Sequence, residues 1–159
     1  MQKMNITEIF QVAIRIEENG EKFYRIASNR ILRDSVKEIF SALADEEIKH
    51  KEIFEKMLAE IENYESVDQY PDEYFAYVRS FANDVIFTHK KQQEAINSIH
   101  NVLNAVEFAI DVERNSVWYY TEMKVLVTKE QQEILDKIIQ EERQHFIKLS
   151  KLRESLLGK

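Results

Sequence analysis

Residues 13–24, AIRIEENGEKFY, and residues 43–50, LADEEIKH, place Glu17 seven residues before Tyr24 and Glu47 three residues before His50. The pattern returns in AIDVERNSVWYY, residues 109–120, and IIQEERQH, residues 138–145. There Glu113 precedes Tyr120 by seven residues and Glu142 precedes His145 by three. Glu17 aligns with Glu113 at an offset of 113 − 17 = 96, and Glu47 with Glu142 at 142 − 47 = 95. Two matches at nearly one offset read as a duplicated helical hairpin, related by a pseudo-two-fold axis. Two copies at so long a period do not make a solenoid.

Working outward, the apolar residues around each motif recur at alternating spacings of three and four, the seam of a helix packed at a shallow angle in a bundle. The first helix carries Phe10, Ala13, Glu17, Gly20, Tyr24 and Ala27 on its seam, starts near Asn5, where Asn5 and Glu8 have capping-box spacing, and fades over 29–33. The second restarts near Asp34 or Ser35, with Ser35 and Glu38 as a second capping box, and carries Phe40, Leu43, Glu47, His50, Phe54, Met57 and Ile61. The third is expected over about 92–127, with a break near 97–101, and carries Val106, Ala109, Glu113, Ser116, Tyr120 and Met123. The fourth opens at a Thr128–Gln131 capping box and carries Leu135, Ile138, Glu142, His145, Leu149, Leu152 and Leu156.

Residues 64–98 differ. They hold the only proline, Pro71, and the aromatics Tyr64, Tyr70, Tyr74, Phe75, Tyr77, Phe81 and Phe87. This stretch reads as a long crossover that makes the second and third bundle helices run parallel, with a short helix over 71–83 begun by Pro71.

Composition agrees with one all-α domain spanning 1–159. Two glycines and one proline in 159 residues leave little turn chemistry, and 44% hydrophobic residues can form a core. A net charge of −7 argues against nucleic acid or an anionic membrane as partner. No apolar run approaches the roughly 20 residues of a membrane span. The acidic, amphipathic start is unlike a signal peptide, so a cytoplasmic location is expected. Without cysteine there is no disulfide, thiolate nucleophile, iron–sulfur cluster or Cys-bound zinc.

The middle of each seam is polar. Glu17, Glu47, His50, Glu113, Glu142 and His145 fall where side chains face the bundle axis. A carboxylate buried without a partner costs several kcal/mol, and four together repel one another. No lysine or arginine shares these seams. Two divalent cations balance four carboxylates, with neutral imidazoles completing the coordination. Residues three apart share a helix face, so Glu47 with His50, and Glu142 with His145, can each grip an ion. We expect Glu47 and Glu142 to bridge, and Glu17, His50, Glu113 and His145 to be terminal ligands. Oxygen and imidazole donors suit iron or manganese. Tyr24 and Tyr120 lie two turns past a ligand, where their hydroxyls can reach ligand carboxylates; a plain core role is the alternative. Glu18, Glu46 and Glu141 lie off the seams and read as solvated, with at most an outer role. His89 and His100 have no partner at metal spacing. Gly20 and the equivalent Ser116 read as small residues that leave room for an oxidant.

These four motifs resemble the rubrerythrin branch of the ferritin-like superfamily, over nearly the whole chain. The resemblance implies a ferritin-like four-helix bundle, often a homodimer, with two iron ions (manganese or a mixed pair being the alternative). It implies reaction with hydrogen peroxide or dioxygen, as in oxidative-stress defence. Two departures stand out. Rubrerythrins carry a C-terminal rubredoxin domain; this chain ends at Lys159 without cysteine, so a separate electron donor such as a rubredoxin is expected. Rubrerythrins also carry a further carboxylate one turn along the third helix, where this chain has Ser116. The expected activity is a peroxidase or ferroxidase. Iron binding, storage or sensing without catalysis is the second reading, and a metal-free bundle the third.

Overall fold

The computed structural model describes residues 6–61, 72–85, 89–97 and 99–158, and every regular element among them is a helix. They are α1 (Ile6–Arg30), α2 (Asp34–Ile61), α3 (Asp72–Val85), α4 (His89–Asn97), α5 (Val102–Lys124) and α6 (Lys129–Leu156). The bundle consists of α1, α2, α5 and α6, with α3 and α4 inside the crossover. Asn5, Tyr64, Tyr70, Pro71 and Phe87 lie outside the described residues, and with them the expected Asn5 cap and the proline start.

Helix ends follow local chemistry. The capping box at Thr128 is present: its side chain accepts from the Gln131 backbone, and the Gln131 side chain accepts from the Thr128 backbone. The break expected near 97–101 is present and divides the stretch expected over 92–127 into two helices. The chain leaves helical geometry after Asn97, and Asn101 caps α5 in an extended conformation, its side chain accepting from Asn104 N at 2.9 Å. The expected Ser35 cap is also corrected. Val36 and Lys37 already bond back to the Arg33 carbonyl, so α2 begins at Asp34 and Ser35 lies within its first turn.

The seams lie where the periodicity puts them. All seam residues of α1 and α5 are buried, as are those of α2 through Met57 and of α6 through Leu149. The core is not continuous. One apolar cluster gathers Ile9, Phe10, Phe54, Met57, Tyr119, Met123, Leu135 and Ile138. The other gathers Phe23, Phe40, Leu43, Val106, Ala109 and Leu149. Between them lies the polar layer of Glu17, Glu47, His50, Glu113, Ser116, Glu142 and His145.

Hydrogen bonds fix the topology. Tyr120 bonds Glu17 and Tyr24 bonds Glu113, so α1 and α5 run antiparallel. Since the short 31–33 turn makes α1 and α2 an antiparallel hairpin, α2 and α5 are parallel, as the long crossover requires. The crossover helices cover the α1–α5 side. On α3, Tyr74 donates to the Glu122 carbonyl of α5 at 2.8 Å, and Phe81 stacks on Trp118. Tyr74, Phe75 and Phe81 are half-buried and Tyr77 stays half exposed against Trp118. On α4, buried Gln92 donates to the Asn19 carbonyl of α1 at 2.8 Å, and Arg30 reaches back to the Ile96 carbonyl at 2.8 Å. No helix among the described residues is long and apolar enough to cross a membrane.

Candidate metal centre

All six residues expected to converge do so. One ligand atom from each of Glu17, Glu47, His50 and Glu142 lies within 4.8 Å of the others. The same holds for Glu47, Glu113, Glu142 and His145. The two tetrads share Glu47 and Glu142. Each also holds one glutamate from a Glu-x-x-x-x-x-x-Tyr helix and one histidine. The arrangement follows from helix geometry: i and i+3 side chains share a face, and four seams at equal depth meet on the bundle axis.

The tyrosines complete the layer. Tyr24 of α1 donates to Glu113 Oε1 of α5, and Tyr120 of α5 donates to Glu17 Oε1 of α1. Burial, then the neighbouring carboxylates, push both phenols well above their ordinary range, so they remain protonated donors. Each tyrosine therefore occupies one oxygen of its glutamate. The other oxygens, Glu17 Oε2 and Glu113 Oε2, are buried without a hydrogen-bond partner.

His50 Nδ1 and Glu142 Oε1 are buried in the same state. They lie 2.9 Å apart but without hydrogen-bond geometry. Buried polar atoms in folded proteins are nearly always bonded. Four bare donor atoms in one layer are what a cation site presents. With two carboxylates common to both tetrads, the set fits a pair of divalent ions.

Without metal, protons moderate the charge. Burial raises the Glu47 and Glu113 carboxyls well above the usual range, reinforced for Glu47 by the charge of Glu17 and for Glu113 by that of Glu142. Burial works against charge on Glu142 too, but the close approach of Glu113, His145 and His50 outweighs it and holds this carboxyl low. The imidazoles show the same contest. Burial opposes their protonation, yet the adjacent Glu142 and Glu17 carboxylates push His50 up to about 12, and those of Glu113 and Glu142 push His145 up to about 10.

One feature departs from expectation. The room beside Gly20 is not open: a Cβ built there would meet Glu47 Oε2 at 3.0 Å and its Cδ at 3.1 Å. The missing side chain accommodates the Glu47 carboxylate in place of an oxidant. On α5, Ser116 turns its hydroxyl to the Val112 carbonyl at 3.0 Å. Glu141, read as solvated with at most an outer role, takes that outer role and bonds the outer nitrogen of His50, Nε2, at 2.7 Å. Glu46, Glu141 and His50 form a further acidic group at the rim of the layer. The sequence signal was the doubled glutamate in each Glu-Glu-x-x-His. His100 is exposed.

Comparison with known proteins agrees with this geometry. No curated protein matches the chain. A crystal structure from Thermotoga maritima, described as that of a ferritin-like diiron-carboxylate protein, superposes with a TM-score of 0.69 at 31% identity, covering 97% of each chain. The family model for rubrerythrin matches residues 8–153. With this match running through all four bundle helices, the chain belongs to the rubrerythrin family.

Proposed function

We propose that the chain is a di-iron oxidoreductase that reduces hydrogen peroxide or dioxygen. The observation that carries this reading is the overlap of the two tetrads in Glu47 and Glu142. These two residues would be common to both ions' ligand sets, with Glu17 and His50 completing the set that would hold one ion and Glu113 and His145 the set that would hold the other. Mixed carboxylate and imidazole donors select iron or manganese, and the likeness to a diiron-carboxylate protein favours iron. Bound there, two ferrous ions supply one electron each to the oxidant.

The protein contributes geometry and dryness. Tyr24 and Tyr120 hold Glu113 and Glu17 by one oxygen each and leave the second aimed into the layer. The apolar clusters above and below exclude water, which strengthens every charge interaction between them. The reductant is a separate electron-carrier protein such as a rubredoxin, and the working unit is a cytoplasmic homodimer. Anaerobic ferrous loading, then rapid mixing with peroxide or with dioxygen, tests the activity. Two ions per chain and fast oxidation by one of the oxidants are expected; oxidation by neither overturns the enzyme reading.

Ser116 favours a second reading. With its hydroxyl bonded to Val112, α5 offers no additional carboxylate one turn past Glu113. Iron binding, storage or sensing without turnover then follows. Native mass separates a storage cage from a dimer, and the same rapid mixing separates binding from catalysis.

A further inference from the structure

The repeat makes Glu46 the counterpart of Glu141 and Lys49 the counterpart of Gln144. The pairs behave differently. Glu141 has an uncharged residue three positions on, and it reaches across to α2 to bond His50 Nε2 at 2.7 Å. Glu46 has a lysine three positions on, and that Lys49 Nζ holds it at 2.8 Å. His145 faces Glu142 through Nδ1 at 3.3 Å, and among the described residues its Nε2 receives no carboxylate. Two halves that share a ligand set thus differ in what stands behind the histidine.

We infer that the two metal positions are unequal, with the His50 position filled first and held more tightly and the His145 position exchangeable, because Lys49 withdraws the carboxylate that would steady His145. The inference rests on the di-metal reading above. An imidazole whose outer nitrogen donates to a carboxylate is fixed in ring orientation and tautomer, and is a more basic ligand. Loss of such a partner typically lowers metal affinity ten- to a hundredfold. The competing Lys49–Glu46 pair is largely exposed, with side chains 63% and 36% accessible, so it is weak and one substitution suffices to release Glu46. Glu141 and Lys49 act as positioning residues.

The test is anaerobic titration of the metal-free full chain with Co(II), followed by calorimetry and by ligand-field absorption. The unaltered chain should bind two ions in steps separated by at least about tenfold. Glu141→Gln should weaken the first step ten- to a hundredfold and leave the second in place. Lys49→Gln should tighten the second step and narrow the gap. Glu141 is 54% exposed, so its substitution leaves the core untouched, and circular dichroism confirms the fold of each variant. Two equal steps in the unaltered chain overturn the inference while keeping the di-metal reading. So does a Glu141→Gln effect shared equally by both steps, or a Lys49→Gln effect on the first step alone. Failure to take up two ions overturns the di-metal reading itself.

Discussion

Tyr120 on α5 donates its hydroxyl hydrogen to Glu17 on α1, 103 residues away, while the other oxygen of Glu17 is left bare and buried. Tyr24 and Glu113 repeat the relationship with the helices exchanged. The tyrosine thus sets which oxygen a metal meets. Tyr120→Phe keeps the ring against Phe54 and removes only the donor. A buried acceptor stripped of its partner costs about 1–3 kcal/mol, so urea unfolding of the metal-free variant should shift by that amount. Metal affinity should fall about 10–100-fold. Tyr24→Phe should match it within error, and unequal losses would show that the two halves do not share this device.

The bridging residues are separable from the terminal ones by stoichiometry. Glu47 and Glu142 belong to both tetrads, whereas Glu17 and Glu113 each belong to one. Glu142→Ala should leave no tightly bound metal, because both ions lose a ligand and two imidazoles lose their common anion. Glu113→Ala should retain close to one ion per chain, in the His50 position, and Glu17→Ala at most one, in the more weakly held His145 position. Elemental analysis after desalting measures this directly. Two ions retained in Glu142→Ala would refute the bridging role.

Much of this site is legible in the sequence because helix periodicity converts spacing directly into direction. Glu17, Glu47, His50, Glu113, Glu142 and His145 follow the same three-and-four pattern as Phe10 and Leu135, and all lie inside. The tyrosine bonds are within reach of that pattern for the same reason. What it does not encode is contact across helices. Glu141 is off its own seam and half exposed, and only the approach of α2 brings His50 to it. The Gly20 contact is of this kind too, since its neighbour belongs to α2. Helix starts are the weakest point. At Ser35 the spacing suits a cap, but the Arg33 carbonyl has already begun the helix.

Metal binding and metal-free stability should respond to pH in opposite directions. With folded-state values near 12 for His50 and 10 for His145, both imidazoles hold a proton at neutral pH. A ligand imidazole must be neutral, so each ion displaces a proton. Between about pH 7 and 9 the joint affinity for two ions should rise, by up to about a hundredfold per pH unit from the histidines alone. The metal-free fold behaves otherwise. Groups raised above the unfolded value of about 6.5 contribute stability that is complete below that pH. It is lost as pH climbs through roughly 10 to 12. Calorimetry in buffers of different ionisation enthalpy counts the released protons, and zero release would contradict a protonated His50 and His145 in the metal-free site.

Gly20→Ala sets helix propensity against the site. In a helix interior alanine is better than glycine by about 1 kcal/mol, so an unopposed substitution would stabilise α1. The new methyl would sit 3.0 Å from Glu47 Oε2, the free end of a flexible side chain that can turn aside, and 3.4 Å from its Cγ. In the metal-free protein that adjustment is small, and thermal unfolding should show a gain of up to about 1 kcal/mol. With metal, Glu47 is shared by both tetrads and has no such freedom. The same variant should therefore bind both ions more weakly, and its metal-induced rise in melting temperature should shrink. Glycine is then retained at this position for the carboxylate, at the expense of the helix. A variant that gains stability without losing affinity would show that Glu47 does not need the space.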